Sequence, residues 1–406
     1  MTIKGLIKKL IPKFLLRIYH YKLALLGAFL YGFPGYDKKL KIIGVTGTSG
    51  KSTTVDFITR ILEESGKNVA SISSIRFKAG GKEWANKYKM TMPGRFVIQK
   101  FLRMAKNVGC EYVVLEVTSE GIRQFRHNFI KFDTAVFTNL TPEHIESHGS
   151  FENYRNEKLK LFKTTKNIHV VNIDDKNSKY FSDIPARKKI SFSLKEAKNI
   201  DTKNDTSFDL KGIKFKLNML GKFNIYNALA AISTANAYGI SLDICKNALE
   251  KAKGISGRME IISESPVKVI VDYAHTPDQL EAVYKTFKDE KLICVLGSCG
   301  GGRDKWKRPV LGEIAGKYCK EVIVTNEDPY DENPSDIINQ VAETAGHNAK
   351  KVQDRKEAIN NAIKSAKAGD VVIITGKGSE PWMCLEDGTK IPWDDRQVAR
   401  DALQKL

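Results

Sequence analysis

Residues 44–53, GVTGTSGKST, set glycines, a lysine and a run of hydroxyls directly behind the apolar pair Ile42-Ile43. A strand that enters a glycine-rich turn and leaves as a helix from Lys51 makes an anion site. Its backbone N–H groups and the helix N-terminus would face phosphate, Lys51 would reach the β- and γ-oxygens, and the Ser52 hydroxyl would hold Mg²⁺. The residues the loop offers are Gly47, Thr48, Ser49, Gly50, Lys51, Ser52 and Thr53. The G-x-x-x-x-G-K-[ST] pattern is not met in full, because Val45 stands where the first glycine belongs. A glycine-rich strand-to-helix turn without a ligand is the plainer alternative. Glu116 closes the apolar run EYVVLE, and a carboxylate at such a strand end is a good ligand for a hard cation. A solvated strand-end glutamate is its alternative.

These groups need elements to carry them. From Lys41 onward, apolar strand-like runs alternate with helical stretches. KIIGVTG, NVASISS, EYVVLEVTS, FDTAVFTNL and NIHVVNIDD read as strands, with a helix from about Lys51 to Ser65 and another in LGKFNIYNALAAISTANAYGI. The runs are continuous, not alternating, which predicts a mostly parallel sheet covered on both faces. A second α/β series follows GISGRME, with strands in VKVIVDYAH, KLICVLGS, EVIVTNEDP and DVVIITGKG and helices over 336–343 and 355–367. Polar and glycine-rich residues follow the strand ends, where open α/β sheets bind ligands. The chain thus divides into residues 1–40, a short helical N-terminal segment; 41–256, a central P-loop ATPase domain; and 257–406, a C-terminal Rossmann-like α/β domain.

At 406 residues the chain is too long for one ordinary core. Its formal charge of +19 is spread over scattered lysines with no nucleic-acid-binding motif, so nucleic acid is not expected as a partner; anionic small substrates with an acidic membrane surface would account for the sign, and a lysine-rich surface with no specific partner is the plainer alternative. The six cysteines form no C-x-x-C pair and are read as reduced thiols in a cytoplasmic protein. Residues 1–35 are basic, aromatic and apolar, lack a small-residue cleavage site, and are interrupted by Arg17, His20 and Lys22. They suit an amphipathic helix in peripheral contact with the inner membrane surface, or a helical pair packed on the domain behind them.

Beyond the phosphate loop, LEVTSEGIRQFR, FTNLTPEHIESHGSFENYRNEKLKLF, NIDD, LGKFNIYNALAA, GRME, DYAHTPDQLE, GGGRDKWKRP, TNEDPYDENP, DRKEAI and GKGSE follow in that order. With TGTSGKST they resemble the Mur ligase superfamily, ATP-dependent amide-bond ligases that include folylpolyglutamate synthetases. The resemblance runs through residues 41–406 and is nearest the branch that adds the third peptide residue to the peptidoglycan precursor.

That resemblance implies ATP, two Mg²⁺ ions, and a substrate carboxylate phosphorylated to an acyl phosphate that an amine then captures. It assigns Lys51, Glu116, His144 and Lys158 to catalysis. Ser52, Glu116, His144 and a carbamylated Lys158 become metal ligands, since carboxylation turns a cationic side chain into an anionic oxygen donor. Asn224 and Asn227 would contact the nucleotide, and polar helix packing is their alternative. Arg258, Asp272 and His275 would close on the ATP, with Asp272 on the ribose. Thr91, Met92, Ser119, Gln124 and Arg126 would bind the muramoyl-peptide, although Met92 and Glu120 depart from the family pattern. Arg303 would pair with the α-carboxylate of the incoming amino acid, near Gly376 and Glu380.

The amino-acid specificity segment is Glu327, Asp328, Pro329 and Tyr330, where diaminopimelate-adding members read Asp-Asn-Pro-Arg. Tyr330 removes the cation for a distal carboxylate, so lysine, ornithine or another diamino acid stays open. Forty residues precede the first strand, where such enzymes carry a UDP-gripping domain. A lipid-linked acceptor, a shortened UDP grip and a different acceptor are the three explanations. The expected assembly is a monomer. The competing readings are a folylpolyglutamate-type ligase and a non-catalytic Mur-like subunit of an amidotransferase.

Overall fold

The computed structural model describes residues 12–406 apart from 89, 204 and 348. Within them the chain packs as two units. The first holds residues 12–142 and Ser150–Lys253, and the second holds Glu143–Gly149 and Gly254–Leu406.

The first unit is built on eight strands: β1 (Lys41–Thr46), β2 (Val69–Ile72), β3 (Arg76–Ala79), β4 (Lys82–Ala85), β5 (Tyr112–Glu116), β6 (Phe132–Phe137), β7 (Ile168–Asn172) and β8 (Lys188–Phe192). Their order across the sheet is β4-β3-β2-β5-β1-β6-β7-β8. The ladders from β2 to β8 are parallel, and β3 and β4 add an antiparallel edge. Because side chains alternate along a strand, one sheet feeds two cores. Ile43, Val45, Val114, Val136 and Val170 pack with helices Lys51–Glu64 and Phe223–Ala237. Ile42, Val113, Leu115, Ala135 and Phe137 pack with helices Arg95–Asn107 and Phe151–Thr164.

The first core also takes in Phe208 and Phe215 of a three-stranded antiparallel sheet, β9 (Ala197–Asp201), β10 (Thr206–Leu210) and β11 (Ile213–Leu217). Helix Lys13–Leu30 lies on helix Arg95–Asn107 through Ala24, Gly27 and Ala28, which are small enough to let the two backbones approach. Its described part is one helix, and residues 1–11 of the segment, on which a helical pair would also depend, lie outside the described residues.

The second unit centres on β12 (Glu260–Ser263), β13 (Lys268–Val271), β14 (Lys291–Leu296), β15 (Glu321–Val324), β16 (Ala349–Lys351) and β17 (Asp370–Ile374), ordered β12-β13-β17-β14-β15-β16. All ladders but β12–β13 are parallel. Val269, Val271, Ile293, Val295, Ile323, Val372 and Ile374 form its core with helices Arg355–Ser365 and Asp395–Leu403. A fully buried bidentate pair, Arg355 to Asp395, ties those helices together, and Arg355 also donates to the carbonyls of Asn326 and Thr375 just beyond two strands.

The cysteine expectation is corrected here. Cys294 of β14 and Cys319, at the end of helix Lys307–Tyr318, are joined in a disulfide with Cα atoms 6.1 Å apart. The crossover brings Cys319, at the helix end leading into β15, beside Cys294 of the neighbouring strand β14, 25 positions earlier, which no local spacing reveals. Cys110, Cys245, Cys299 and Cys384 are free thiols.

Candidate active site

In the first unit the turn Gly47–Gly50 follows β1 and opens helix Lys51–Glu64. Lys51 Nζ donates to the Thr48 carbonyl at 2.8 Å and lies 4.0 Å from Glu116 Oε1. Ser52 Oγ donates to Glu116 Oε2 at 2.8 Å, and the Ser74 amide donates to the same oxygen at 3.0 Å. Glu116 is 3% exposed because it ends a central strand next to β1. Two hard oxygens, the Ser52 hydroxyl and the Glu116 carboxylate, thus stand together beside a cation at a helix N-terminus. They fit magnesium, which takes one or two protein carboxylates and completes its shell with phosphate and water. Among the described residues no group of three or more His, Cys, Asp or Glu side chains forms a cation site by itself.

The loop is braced from behind. The Ser49 amide donates to Asn139 Oδ1 at 2.8 Å, Thr138 Oγ1 donates to the Ser49 carbonyl at 2.7 Å, and Thr48 Oγ1 meets Tyr154 OH at 3.0 Å. Lys158, on helix Phe151–Thr164, is 2% exposed and donates to the Gly47 carbonyl at 2.7 Å, with its Nζ 4.7 Å from the centre of the Tyr154 ring. Asn224 and Asn227 are buried against the loop. Asn227 Nδ2 donates to Asn224 Oδ1 at 3.0 Å, and Asn224 Nδ2 to the Leu220 carbonyl at 2.8 Å. Gly50 has φ +78°, and a Cβ there would collide with Asn227 Oδ1. Asn227 is therefore a wall of the turn as well as a candidate nucleotide contact.

A second cluster of this unit gathers the expected acceptor residues. Arg126 donates to the Met92 carbonyl and, at 2.7 Å, to Gln124 Oε1. Ser119 opens the short helix Ser119–Arg123, capped by Thr118, and Met92 is packed against Gly121. Thr91 is half-buried in the bend before them. Arg95 links this cluster to the N-terminal helix, donating to the Gln124 carbonyl at 3.0 Å and meeting His20 Nδ1 at 2.9 Å.

The second unit holds the remaining candidates. His144 has a left-handed backbone, φ 57°, at the head of helix Ile145–His148. Glu143, which sequence reasoning passed over, stands between two imidazoles. Its Oε1 meets His275 Nε2 at 3.1 Å and its Oε2 is 4.0 Å from His144 Nε2. Burial alone would raise the Glu143 carboxyl, but His144, His275 and Lys307 outweigh it and hold it well below the usual carboxylate range. Asp272 accepts from the amides of Met259 and Ala274, each at 2.7 Å. Burial nevertheless raises its pKa against those bonds and the nearby Arg258. Arg258 Cζ lies over the Tyr273 ring, 3.8 Å from its centre.

The amino-acid candidates converge on a residue the sequence reading left out. Lys377, fully buried, donates to Asp328 Oδ1 at 2.9 Å and to Glu380 Oε2 at 2.6 Å. Its place between Gly376 and Glu380 was the available signal. Gly376 has φ +106°, and a Cβ there would stand 2.6 Å from Glu327 Oε2, a buried oxygen without a partner. Glu327 Oε1 accepts from Cys299 Sγ at 2.8 Å. Tyr330 is half-buried, with a left-handed backbone and its amide on the Cys384 carbonyl, whereas Arg303 is exposed. Pro329 is buried.

A phosphate loop with a carboxylate and a buried lysine at its rim, on a parallel sheet followed by a second α/β unit, defines an ATP-dependent ligase. Comparison with known proteins gives the family. Residues 45–235 match the Mur ligase middle domain, and 257–378 match the Mur ligase glutamate ligase domain. The UDP-N-acetylmuramoyl-L-alanyl-D-glutamate–2,6-diaminopimelate ligase of Syntrophomonas wolfei is 38% identical over 408 residues, covering 94% of this chain and 81% of that protein. The UDP-N-acetylmuramyl-tripeptide synthetase of a Roseiflexus species is 36% identical, covering 95% and 82%. A solved structure of a UDP-N-acetylmuramoyl-L-alanyl-D-glutamate–2,6-diaminopimelate ligase superposes with a TM-score of 0.60 at 31% identity, over 91% of this chain and 79% of that one. The pseudomurein peptide ligase type C of Methanothermus fervidus, at 19% identity and a TM-score of 0.69, shares the fold. The chain belongs to the Mur ligase family, on its tripeptide-synthetase side. It is an ATP-dependent carbon–nitrogen ligase of peptidoglycan synthesis, a class that works with ATP and Mg²⁺.

Proposed function

We propose that this ligase joins a free amino acid to the terminal carboxylate of a muramoyl-peptide, at the third peptide position. The observation that carries the reading is the Ser52–Glu116 pair, with Lys51 and Lys158 within reach of the loop carbonyls of Thr48 and Gly47. In this reading the first unit binds ATP and the acceptor, and the second binds the amino acid.

The acceptor carboxylate oxygen attacks the γ-phosphorus, the bond to ADP breaks, and an acyl phosphate forms. The amine then attacks the acyl carbon, phosphate leaves, and the nitrogen loses its proton. Lys51 and the loop amides hold charge developing on the transferred phosphoryl group. Ser52, Glu116, His144 and a carbamylated Lys158 would hold two magnesium ions, which supply charge neutralisation at the phosphates when bound. Carbamylation suits a lysine only 2% exposed, because it yields an anionic donor in place of an enclosed ammonium. Met92, Ser119, Gln124 and Arg126 would grip the acceptor with Thr91. Arg303 would take the amino acid's α-carboxylate, beside Gly376, Glu380 and the segment Glu327–Tyr330. Arg258, Asp272 and His275 would meet the nucleotide, as would Asn224 and Asn227.

The relatives' names make diaminopimelate the first donor to try, and Tyr330 makes lysine and ornithine the comparators. Each chain carries every candidate group, so the enzyme is read as a monomer. The acceptor's carrier is UDP. A lipid carrier, with residues 1–35 in peripheral contact with a membrane, is the second reading, favoured by the exposed apolar side of helix Lys13–Leu30.

The test follows phosphate release from ATP and Mg²⁺ with UDP-muramoyl-dipeptide and an amino-acid panel. Release that requires both substrates is the expected result. Release only with a folate acceptor, or nucleotide binding with no turnover on any acceptor, would overturn the proposal. With ¹³C-bicarbonate the wild type should show a carbamate resonance that Lys158→Ala loses along with activity; an active Lys158→Ala protein would remove the carbamate.

A further inference from the structure

We propose that helix Lys13–Leu30 docks this protein on the surface of an anionic phospholipid bilayer, lying along the interface without crossing it. The proposal deepens the peripheral contact named above and rests on it. The helix is inside-out for a surface helix of a globular domain. Its inward stripe is the small set Ala24, Gly27 and Ala28. Its outward side carries two adjacent stripes at helical spacing, Phe14, Ile18, Leu25 and Phe29 in one, and Leu15, Tyr19, Leu26 and Leu30 in the other. All eight are between 40% and 68% exposed. Single exposed apolar residues are ordinary, but a contiguous patch of this kind marks a surface that is covered by something.

Charge decides what covers it. Residues 1–36 contain Lys4, Lys8, Lys9, Lys13, Arg17 and Lys22 and no aspartate or glutamate. A second copy of the chain would bring this excess against its like, whereas an anionic lipid surface attracts each basic residue near it. Lys22 falls between the two apolar stripes and is exposed, in the manner of a side chain that reaches past an apolar layer to the headgroups. Among the described residues no helix is long and apolar enough to cross a membrane, so the helix lies on the surface.

The helix is fixed to the expected acceptor cluster by more than its small stripe. Tyr21 packs on Phe125 and Phe129 with ring centres 6.0 and 5.6 Å apart. Arg95 holds His20 and the Gln124 carbonyl together. Docking this face would therefore hold the residues around Met92, Gln124 and Arg126 beside the bilayer.

The full chain would be sedimented with vesicles of phosphatidylcholine alone and with about one-third phosphatidylglycerol. Binding at least about tenfold tighter to the anionic vesicles is expected, weakening as salt rises. The double change Leu25→Glu and Phe29→Glu should abolish it, with Tm and phosphate release on the soluble UDP-linked acceptor unchanged. Lys203→Gln with Lys211→Gln alters net charge equally, away from the helix, and should leave binding within about twofold. Absence of binding, equal loss in both double variants, or a dimer in sedimentation velocity that the helix variant dissolves would overturn the proposal. Vesicle binding without ligation of any acceptor would support docking and overturn the function proposed above.

Discussion

Gly50 and Asn227 show how a single atom is positioned at the phosphate turn. Gly50→Ala forces a left-handed residue to carry a Cβ into Asn227 Oδ1. It should lower stability by about 1–3 kcal/mol and weaken ATP binding, as read by denaturant melts and nucleotide titration. Adding Asn227→Ala relieves the collision but not the φ strain, so it should restore only part of the loss; full restoration would show that the backbone conformation is harmless there. Lys377→Met removes the buried cation between Asp328 and Glu380 and should cost about 3–5 kcal/mol in a denaturant melt. The phosphate loop and Glu116 were legible in the sequence because a glycine-rich strand-to-helix turn and a strand-end carboxylate carry their chemistry locally, whereas Lys158 was reached only through the family resemblance. Glu143 and Lys377 were missed: each has one partner close in sequence, His144 and Glu380, but the second, His275 or Asp328, lies 132 or 49 positions away, so the local residues alone do not announce a buried carboxylate between two imidazoles or a buried cation between two carboxylates.

At the scale of elements, the inner parallel strands were readable because continuous apolar runs are what a sheet buried on both faces demands, whereas the parallel edge strands β8 and β16 are largely exposed and polar and were not. The antiparallel edge strands β3 and β4 and the sheet β9–β11 were not, because β3, β10 and β11 alternate in exposure, β4 and most of β9 are exposed, and all the runs are short and polar. The same sheet hides a pH dependence. His127, in the turn before β6, is 7% exposed, and burial, with help from Lys160, lowers its pKa to about 4. The unfolded imidazole titrates near 6.5, so the unfolded state binds the extra proton between those values. Stability is complete above pH ~6.5 and falls by about 3 kcal/mol as the pH drops to ~4. His127→Phe should flatten that limb in melts recorded across the range; an unchanged slope would assign it elsewhere. In the second unit, Cys294 and Cys319 should leave four thiols titratable in denatured, unreduced protein and six after reduction. Six before reduction would show the bond absent.

The molecule as a whole should respond to its nucleotide. Mg²⁺ with a non-hydrolysable ATP analogue at about a hundred times its Kd should add about 2.7 kcal/mol to stability, visible as a raised Tm, and Lys51→Ala should lose most of that shift. A Tm unmoved by the analogue in the wild type would count against the phosphate loop as the nucleotide site. The stretch Glu143–Gly149 is interrupted sequence: it packs with residues more than a hundred positions downstream, where Glu143 meets His275 and the Glu146 amide meets Asp304. Cutting the gene at any single codon therefore cannot yield two self-sufficient products. A fragment starting at Gly254 would come with an imidazole and a carboxylate facing water where the intact polypeptide supplies their mates, and a graft of those seven residues would be the repair to try.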